Sequence, residues 1–236
     1  MPSRGSRLRM TGNRRSRRVD RSEALGRLQG LIGQDLRPLA DRLGVTVWTP
    51  EGRKNKGWAG HTIERYLELP LNSSRAPNFG SWELKVVPLK QTAKGLCVKE
   101  TMAITMLDPV EVAAKEFAES HLHTKLCKQI IVSRVHESVE AVSSVVCAAT
   151  AFGLDDPHIY ALVKADYDLI REIIVTKGFA ALSGRYGRVV QPRTKGPGHG
   201  SVSRAFYART QFVAYILGLA PKPCADFAGP PGGLHL

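Results

Sequence analysis

The sequence lacks the features that mark secreted, zinc-binding and membrane-spanning proteins. Its four cysteines are scattered without a CxxC pair, which argues against a disulfide framework or a zinc site and favours a reducing compartment. No apolar run approaches the roughly 20 residues that span a bilayer, and the N-terminal segment has no apolar core of a secretory signal. We therefore expect a cytoplasmic protein that does not associate with membranes.

Acidic residues are also scarce relative to basic ones. The chain has 34 Lys and Arg against 21 Asp and Glu, a formal charge of +13. Residues 1–20 carry seven arginines and one aspartate, so about half of the excess lies in the rest of the chain. Such a balance favours a polyanionic partner. The Arg/Ser/Gly-rich segment 1–20 is predicted to be a disordered basic arm, which either holds nucleic acid loosely or only keeps the chain in solution.

The rest of the chain alternates helical and strand patterns, which predicts a mixed α/β fold with a short sheet flanked by helices. We expect one domain over residues 21–220, followed by a flexible Pro/Gly-rich tail over 221–236. Helices are predicted within 22–44 with a break at Pro38, at 60–69, from 109 onward, at 166–184 and at 203–219. Strands are predicted at 82–89, 96–106, 127–135 and 185–192, while 141–152 fits either element.

One short stretch, PNFGSWELKVVPLK at residues 77–90, carries a candidate for chemistry. Glu83 and Lys85 are two apart, so a strand projects them from the same face. Glu64, on the preceding helix, is a second candidate carboxylate. Carboxylates that hold a divalent cation, with a nearby lysine, are the minimum that metal-dependent phosphodiester cleavage requires. On its own, however, an ExK triplet fits a solvent-facing ion pair better than a catalytic site.

The surroundings of this triplet resemble a known family. The segments NKGWAGHTIERYLELPLNSSRAPNFGSWELKVVPLK, HTKLCKQIIV, DYDLIREIIVTKGFAALSGRYGRVVQPRTKG and AFYARTQFVAYIL resemble, in order, segments of the MutH family of DNA mismatch-repair endonucleases and of related GATC-cleaving restriction enzymes. These matches extend over roughly residues 52–218. Their collinear order makes a chance similarity improbable.

The resemblance implies a restriction-endonuclease-like core, with a mixed sheet flanked by helices and two arms forming a cleft for double-stranded DNA. It implies Mg²⁺-dependent cleavage or nicking at GATC, sensing of adenine methylation, and MutL as a partner; we expect a monomer. The implied catalytic residues are Glu83, Lys85, Asn78, Glu64 and Lys125, with Lys128 as an alternative to Lys125. Asn78 and Glu83 are implied as the metal site, and Lys56, Arg193, Lys195 and Tyr207 as DNA-binding residues.

One position departs from the family pattern. Asn78 stands where the family has an aspartate, and an uncharged amide is a poorer ligand for a hard cation such as Mg²⁺. Three hypotheses follow: a MutH-type repair endonuclease whose turnover is impaired, a catalytically inactive DNA-binding module, and a restriction enzyme of the same fold that cuts both strands without MutL.

Overall fold

The computed structural model describes residues 19–69, 81–136, 143–196 and 202–223. Asn78 lies outside these ranges, as do nearly all of the predicted N-terminal arm and most of the predicted tail. In the part of the chain that is described, no helix is both long enough and apolar enough to cross a membrane.

Helices begin where short polar side chains cap them. Asp35, Asp108 and Asp156 each accept a hydrogen bond from backbone N–H groups of the first turn that follows. Pro109 and Pro157 occupy first-turn positions, where a missing N–H removes no helical bond. The helices are α1 Arg21–Gln29, α2 Leu36–Arg42, α3 Trp58–Tyr66, α4 Pro109–Ala114, α5 His121–Leu126, α6 Pro157–Lys177 and α7 Thr210–Ile216.

Two predicted helix boundaries were wrong. Pro38 does not break the first helical region; it is the third residue of α2, where its nitrogen has no helical acceptor to lose. The break lies between α1 and α2 instead, at a turn that contains Gly33 with φ +82°. Helix α6 begins at Pro157 rather than residue 166, and it ends at Gly178, whose φ of +81° a glycine adopts without strain.

The strands divide between two sheets. The presence of these strands among the helices confirms the predicted mixed α/β class. In the first sheet the order is β2-β1-β4-β5, with β1 parallel to β4 and the other neighbours antiparallel. The second sheet is antiparallel, in the order β3-β7-β6. The strands are β1 Glu83–Thr92, β2 Gly95–Val98, β3 Met102–Leu107, β4 Gln129–Val135, β5 Val146–Phe152, β6 Val190–Thr194 and β7 Arg204–Ala208.

Two predicted elements were wrong because sheet pairing overrode the local pattern. The strand predicted at 96–106 is split into β2 and β3, which belong to different sheets. The helix predicted at 203–219 is a strand over Arg204–Ala208, and only Thr210–Ile216 is helical. In β7, Ala205, Phe206 and Ala208 are buried between β3 and β6. A short apolar run fits the periodicity of a helix or of a strand, and pairing with neighbouring strands decides which element forms.

Apolar side chains cover both faces of the four-stranded sheet. On one face Leu84 and Ile130 pack in a cluster with Trp58 and residues of α1, α2 and α3. On the other face Val87 and Leu89 pack in a cluster with the second sheet, α6 and α7. Because side chains alternate along β1, Glu83 and Lys85 project toward the second sheet. The fold thus places a charged pair between its two sheets.

Candidate active site

Glu83 is a buried carboxylate held by two lysines. It is the first residue of β1, and only 3% of its surface is exposed. One carboxylate oxygen, Oε1, lies 3.1 Å from Nζ of Lys85, and the other, Oε2, accepts a hydrogen bond of 2.8 Å from Nζ of Lys125. A carboxylate with both oxygens engaged by lysine side chains is fixed in orientation.

Lys85 links the two sheets. Besides its ion pair with Glu83, its Nζ donates a hydrogen bond of 3.2 Å to the carbonyl of Ile104 on β3. Burial lowers the pKa of Lys85, while the adjacent Glu83 opposes that shift. A lysine in such surroundings gives up its proton more readily than a solvated one.

Lys125 reaches the site from the end of α5. Its side chain is almost as buried as that of Glu83, and its carbonyl accepts a hydrogen bond of 2.8 Å from the side-chain amide of Gln129. Gln129 is wholly buried and lies level with Glu83 in the parallel pairing of β1 and β4. Lys128, the alternative to Lys125, has an exposed side chain, and only its carbonyl meets the N–H of Glu83. The geometry therefore favours Lys125.

Glu64 brings a second carboxylate toward Glu83. It lies on α3 and is half-buried. Burial raises its pKa, His61 counteracts the shift, and the charge of Glu83 raises it further, so the two carboxylates lie within each other's field. Across the described ranges, no group of three or more His, Cys, Asp and Glu converges as a metal site. The carboxylates placed here are therefore two, and Asn78, the other expected ligand, lies outside the described residues.

A cavity of about 550 Å³ extends from Lys85 to two of the predicted DNA-binding residues. Arg193 and Tyr207 line it, with the Arg193 guanidinium 5.7 Å from the centre of the Tyr207 ring. Thr101 accepts a hydrogen bond of 2.8 Å from Nη1 of Arg193, and Glu100 lines the same cavity. Neither Glu100 nor Thr101 was singled out in the sequence, because only the folded turn between β2 and β3 brings them opposite β6.

The two remaining predicted DNA-binding residues are both exposed. Lys195 follows β6, its N–H donates to the carbonyl of Ser203, and its charge contributes to lowering the pKa of Lys85. It thus lies within electrostatic reach of the buried pair. Lys56 lies in the loop that leads into α3, the helix that carries Glu64. Of the nine predicted site residues, the structure brings together four: Glu64, Glu83, Lys85 and Lys125. Arg193, Tyr207 and Lys195 lie beside them. Lys56 lies on the surface, and Asn78 is outside the described residues.

Fold and site together define an α/β protein with a buried glutamate bound by two lysines, a second carboxylate within its field, and an adjacent cavity lined by arginine and tyrosine. The family model described as "MutH: DNA mismatch repair enzyme MutH" matches residues 67–155. That span contains Glu83, Lys85 and Lys125.

Curated relatives extend the match over most of the chain. The DNA mismatch repair protein MutH of Vibrio cholerae is 29% identical over 211 residues, covering 83% of this chain and 94% of the relative. The MutH protein of Vibrio campbellii is 27% identical to this chain over 213 residues, covering 83% of this chain and 92% of the relative. The MutH protein of a Shewanella strain is 27% identical over 216 residues, covering 84% of this chain and 95% of the relative. The resemblance to the MutH family predicted from the sequence is confirmed.

Proposed function

We propose that this chain is a MutH-type endonuclease that binds double-stranded DNA at GATC sites in methyl-directed mismatch repair and hydrolyses one phosphodiester bond. One observation carries the proposal: Glu83 is bound by both Lys85 and Lys125, with Glu64 within its field, beside a cavity that Lys85 and Arg193 both line. The similarity to MutH proteins supplies the substrate class. The site of action would be the cytoplasm, with MutL as a partner and the chain a monomer.

In this proposal Arg193 reads DNA and Lys85 assists its cleavage at the same cavity, which both residues line. Arg193 is exposed, and its guanidinium is oriented by Thr101 and the ring of Tyr207. An arginine in this position can donate two parallel hydrogen bonds to a guanine edge in the major groove. Lys56 and Lys195 would contact backbone phosphates, which sets register without reading sequence.

The described residues supply part of the ligand set that a hard cation such as Mg²⁺ requires. Glu64 and Glu83 offer carboxylate oxygens, which Mg²⁺ prefers; the pKa of Glu64 is raised mainly by burial and further by the charge of Glu83, and a divalent cation would offset both effects. A bound magnesium ion would offset the charge that develops on the phosphate and acidify the attacking water. The third position falls on Asn78, whose amide contributes no charge.

The lysines have separate roles in the proposed reaction. Lys85 would orient the attacking water through Nζ; because burial lowers its pKa, a Lys85 that has first given its own proton to solvent would accept the proton that the water releases. Lys125 would act on Glu83, fixing the direction of its carboxylate through the 2.8 Å bond. A phosphate placed beside Lys85 would also meet the field of Lys195, which favours the additional negative charge of the transition state.

A plasmid nicking assay with Mg²⁺ tests the proposal. Supercoiled plasmid with and without GATC sites would be incubated with the chain as it stands, with the Asn78→Asp variant, and with a Glu83→Gln variant of each. We expect GATC-dependent nicking by the Asn78→Asp form, slower nicking by the unaltered chain, and none by the Glu83→Gln forms. Nicking that survives Glu83→Gln would refute the assigned site.

Asn78 favours a second candidate, a DNA-binding module without turnover. Loss of a carboxylate removes a cation ligand and a repulsion toward phosphate together, so binding persists while cleavage stops. In the same assay this candidate predicts tight GATC binding by the unaltered chain, with nicking restored only by Asn78→Asp. Addition of MutL, and inspection for double-strand breaks, then separates a repair enzyme from a restriction enzyme.

A further inference from the structure

The segment that leads into β6, residues 184–190, is bound by charged groups on both sides of its backbone. On one side the carboxylate of Asp166, from α6, accepts hydrogen bonds from the N–H groups of Arg188, Val189 and Val190 at 2.6, 2.7 and 2.7 Å. Asp166 is only 3% exposed. A buried carboxylate that receives three backbone donors fixes the position of each of them.

On the other side, Arg209 binds the carbonyls of the same segment. Its Nε donates to Gly187 at 2.9 Å, and its Nη2 reaches the carbonyls of Gly184, Arg185 and Tyr186 at 3.0 to 3.1 Å. The N–H of Arg209 itself donates to Val189 at 2.9 Å. Arg209 stands between β7, which carries Tyr207, and α7. Seven successive residues are thus held by two charged side chains from outside the segment, Asp166 and Arg209.

One glycine of the segment, Gly187, is required by this packing. Gly187 has φ +79°, and a Cβ built on it would lie 1.8 Å from the carbonyl oxygen of Val190 and 3.2 Å from Cγ of Asp166. A Cβ on Gly184 would lie 3.6 Å from Cγ of Arg193, an ordinary contact distance. The aliphatic stem of Arg193 therefore lies next to the first residue of the segment.

Electrostatics connect the same groups. Burial lowers the pKa of Arg209, Asp166 raises it, and Arg193 lowers it further, so the charges of Arg209 and Arg193 repel one another. Arg193 is held on its other side by Thr101. The guanidinium that lines the cavity is therefore held by one hydrogen bond and lies within the field of a like charge.

We infer that Asp166 and Arg209 are positioning residues for sequence discrimination: they hold segment 184–190 so that Arg193 meets a base edge in one orientation. The inference rests on the proposed function, because it assigns a role in reading the site that the chain is proposed to bind. Neither residue lines the cavity, and both act through the backbone that precedes β6. Their loss would release Arg193 to contact phosphate in many orientations, which lowers specificity more than affinity.

The test compares two arginines that both donate to backbone carbonyls. Arg209→Gln removes the guanidinium that binds the carbonyls of segment 184–190. Arg171→Gln is the matched control, because Arg171 on α6 donates to the carbonyl of Ala113 and pairs with Glu116 away from the cavity. Asp166→Asn perturbs the segment from its other side. Binding would be measured by fluorescence anisotropy without metal, on a duplex with one central GATC and on one with GTAC in its place.

The readout is the discrimination ratio, which is the dissociation constant for the GTAC duplex divided by that for the GATC duplex. We expect Arg209→Gln and Asp166→Asn to reduce that ratio by about tenfold, the scale of one lost bidentate base contact, through weaker binding to GATC with nearly unchanged binding to GTAC. Arg171→Gln should leave the ratio unchanged even if its melting temperature falls. Arg209→Lys should not restore the ratio, since one ammonium cannot serve four carbonyls.

Different failures would be distinguishable. If the unaltered chain binds both duplexes equally, the proposed function is wrong and the positioning role falls with it. If the unaltered chain discriminates and a folded Arg209→Gln variant discriminates equally well, the inference alone is overturned. Equal losses on both duplexes in Arg209→Gln would also overturn it, because they would mean a general effect on the fold.

Discussion

Replacing Lys125 with methionine should lower the free energy of unfolding by about 3 kcal/mol, because it leaves Glu83 buried with one partner fewer. At the 2.8 Å separation of Nζ and Oε2, the attraction in an effective dielectric near 20 is about 6 kcal/mol before desolvation is subtracted. Removing one member of a buried pair costs about 3 to 5 kcal/mol. The lower end applies here, since Lys85 still lies 3.1 Å from the other oxygen of Glu83.

Urea denaturation of four proteins would measure this effect: the unaltered chain, Lys125→Met, Glu83→Gln and the double variant. Because the two groups act on each other, the double variant should be more stable than the sum of the single losses predicts, by at least about 1 kcal/mol. Lys128→Met is the control, an exposed neighbour expected to cost less than about 0.5 kcal/mol. Additive losses, or a loss at Lys128 equal to that at Lys125, would refute the argument that the pair is a buried, coupled unit.

Four further predictions follow from the cavity and its surroundings. Lys85→Ala should change DNA affinity by less than about threefold, as expected if it meets at most one phosphate, and a large loss in a gel-shift titration would mean that it is a binding residue. Arg193→Ala should cost roughly 1 to 3 kcal/mol of discrimination between GATC and altered duplexes; an equal loss on all sequences would remove its role in reading bases. Gly187→Ala should cost about 2 kcal/mol or more in denaturant titrations, since its Cβ would meet the carbonyl of Val190 at 1.8 Å, and a neutral result would mean that the segment rearranges freely. Affinity for DNA should fall by more than about tenfold when salt is raised from roughly 50 to 200 mM, and a flat salt profile would contradict a cationic interface.

The charged pair at the start of β1 was predictable from the sequence because its geometry is local. A spacing of two residues in a strand places Glu83 and Lys85 on one face whatever surrounds them. The β-branched run of β4 and the capped start of α4 were predictable for the same reason. Lys125 was reached only through the resemblance, since nothing in its own neighbourhood distinguishes it from Lys128.

The parts that the sequence did not reveal depend on contacts between distant segments. Thr101 meets Arg193 across 92 positions, and no local pattern relates them. Asp166 lies in the interior of α6, whereas the sequence placed it at the start of a helix, and its three donors come from a segment more than 20 residues away. Tyr207 was predicted on a helix and lies on a strand, because β3 and β6 supply backbone partners that the run of apolar residues does not encode.

The parallel pairing of β1 with β4 sets a condition on when this protein can act. Glu83 lies level with Gln129, and Gln129 holds the backbone of Lys125. A slip of one position between the strands would turn Gln129 to the opposite face and move Lys125 out of reach of the carboxylate. The contact between Glu83 and Lys125, on which the proposed active site depends, therefore forms only when β1 and β4 pair in the observed register.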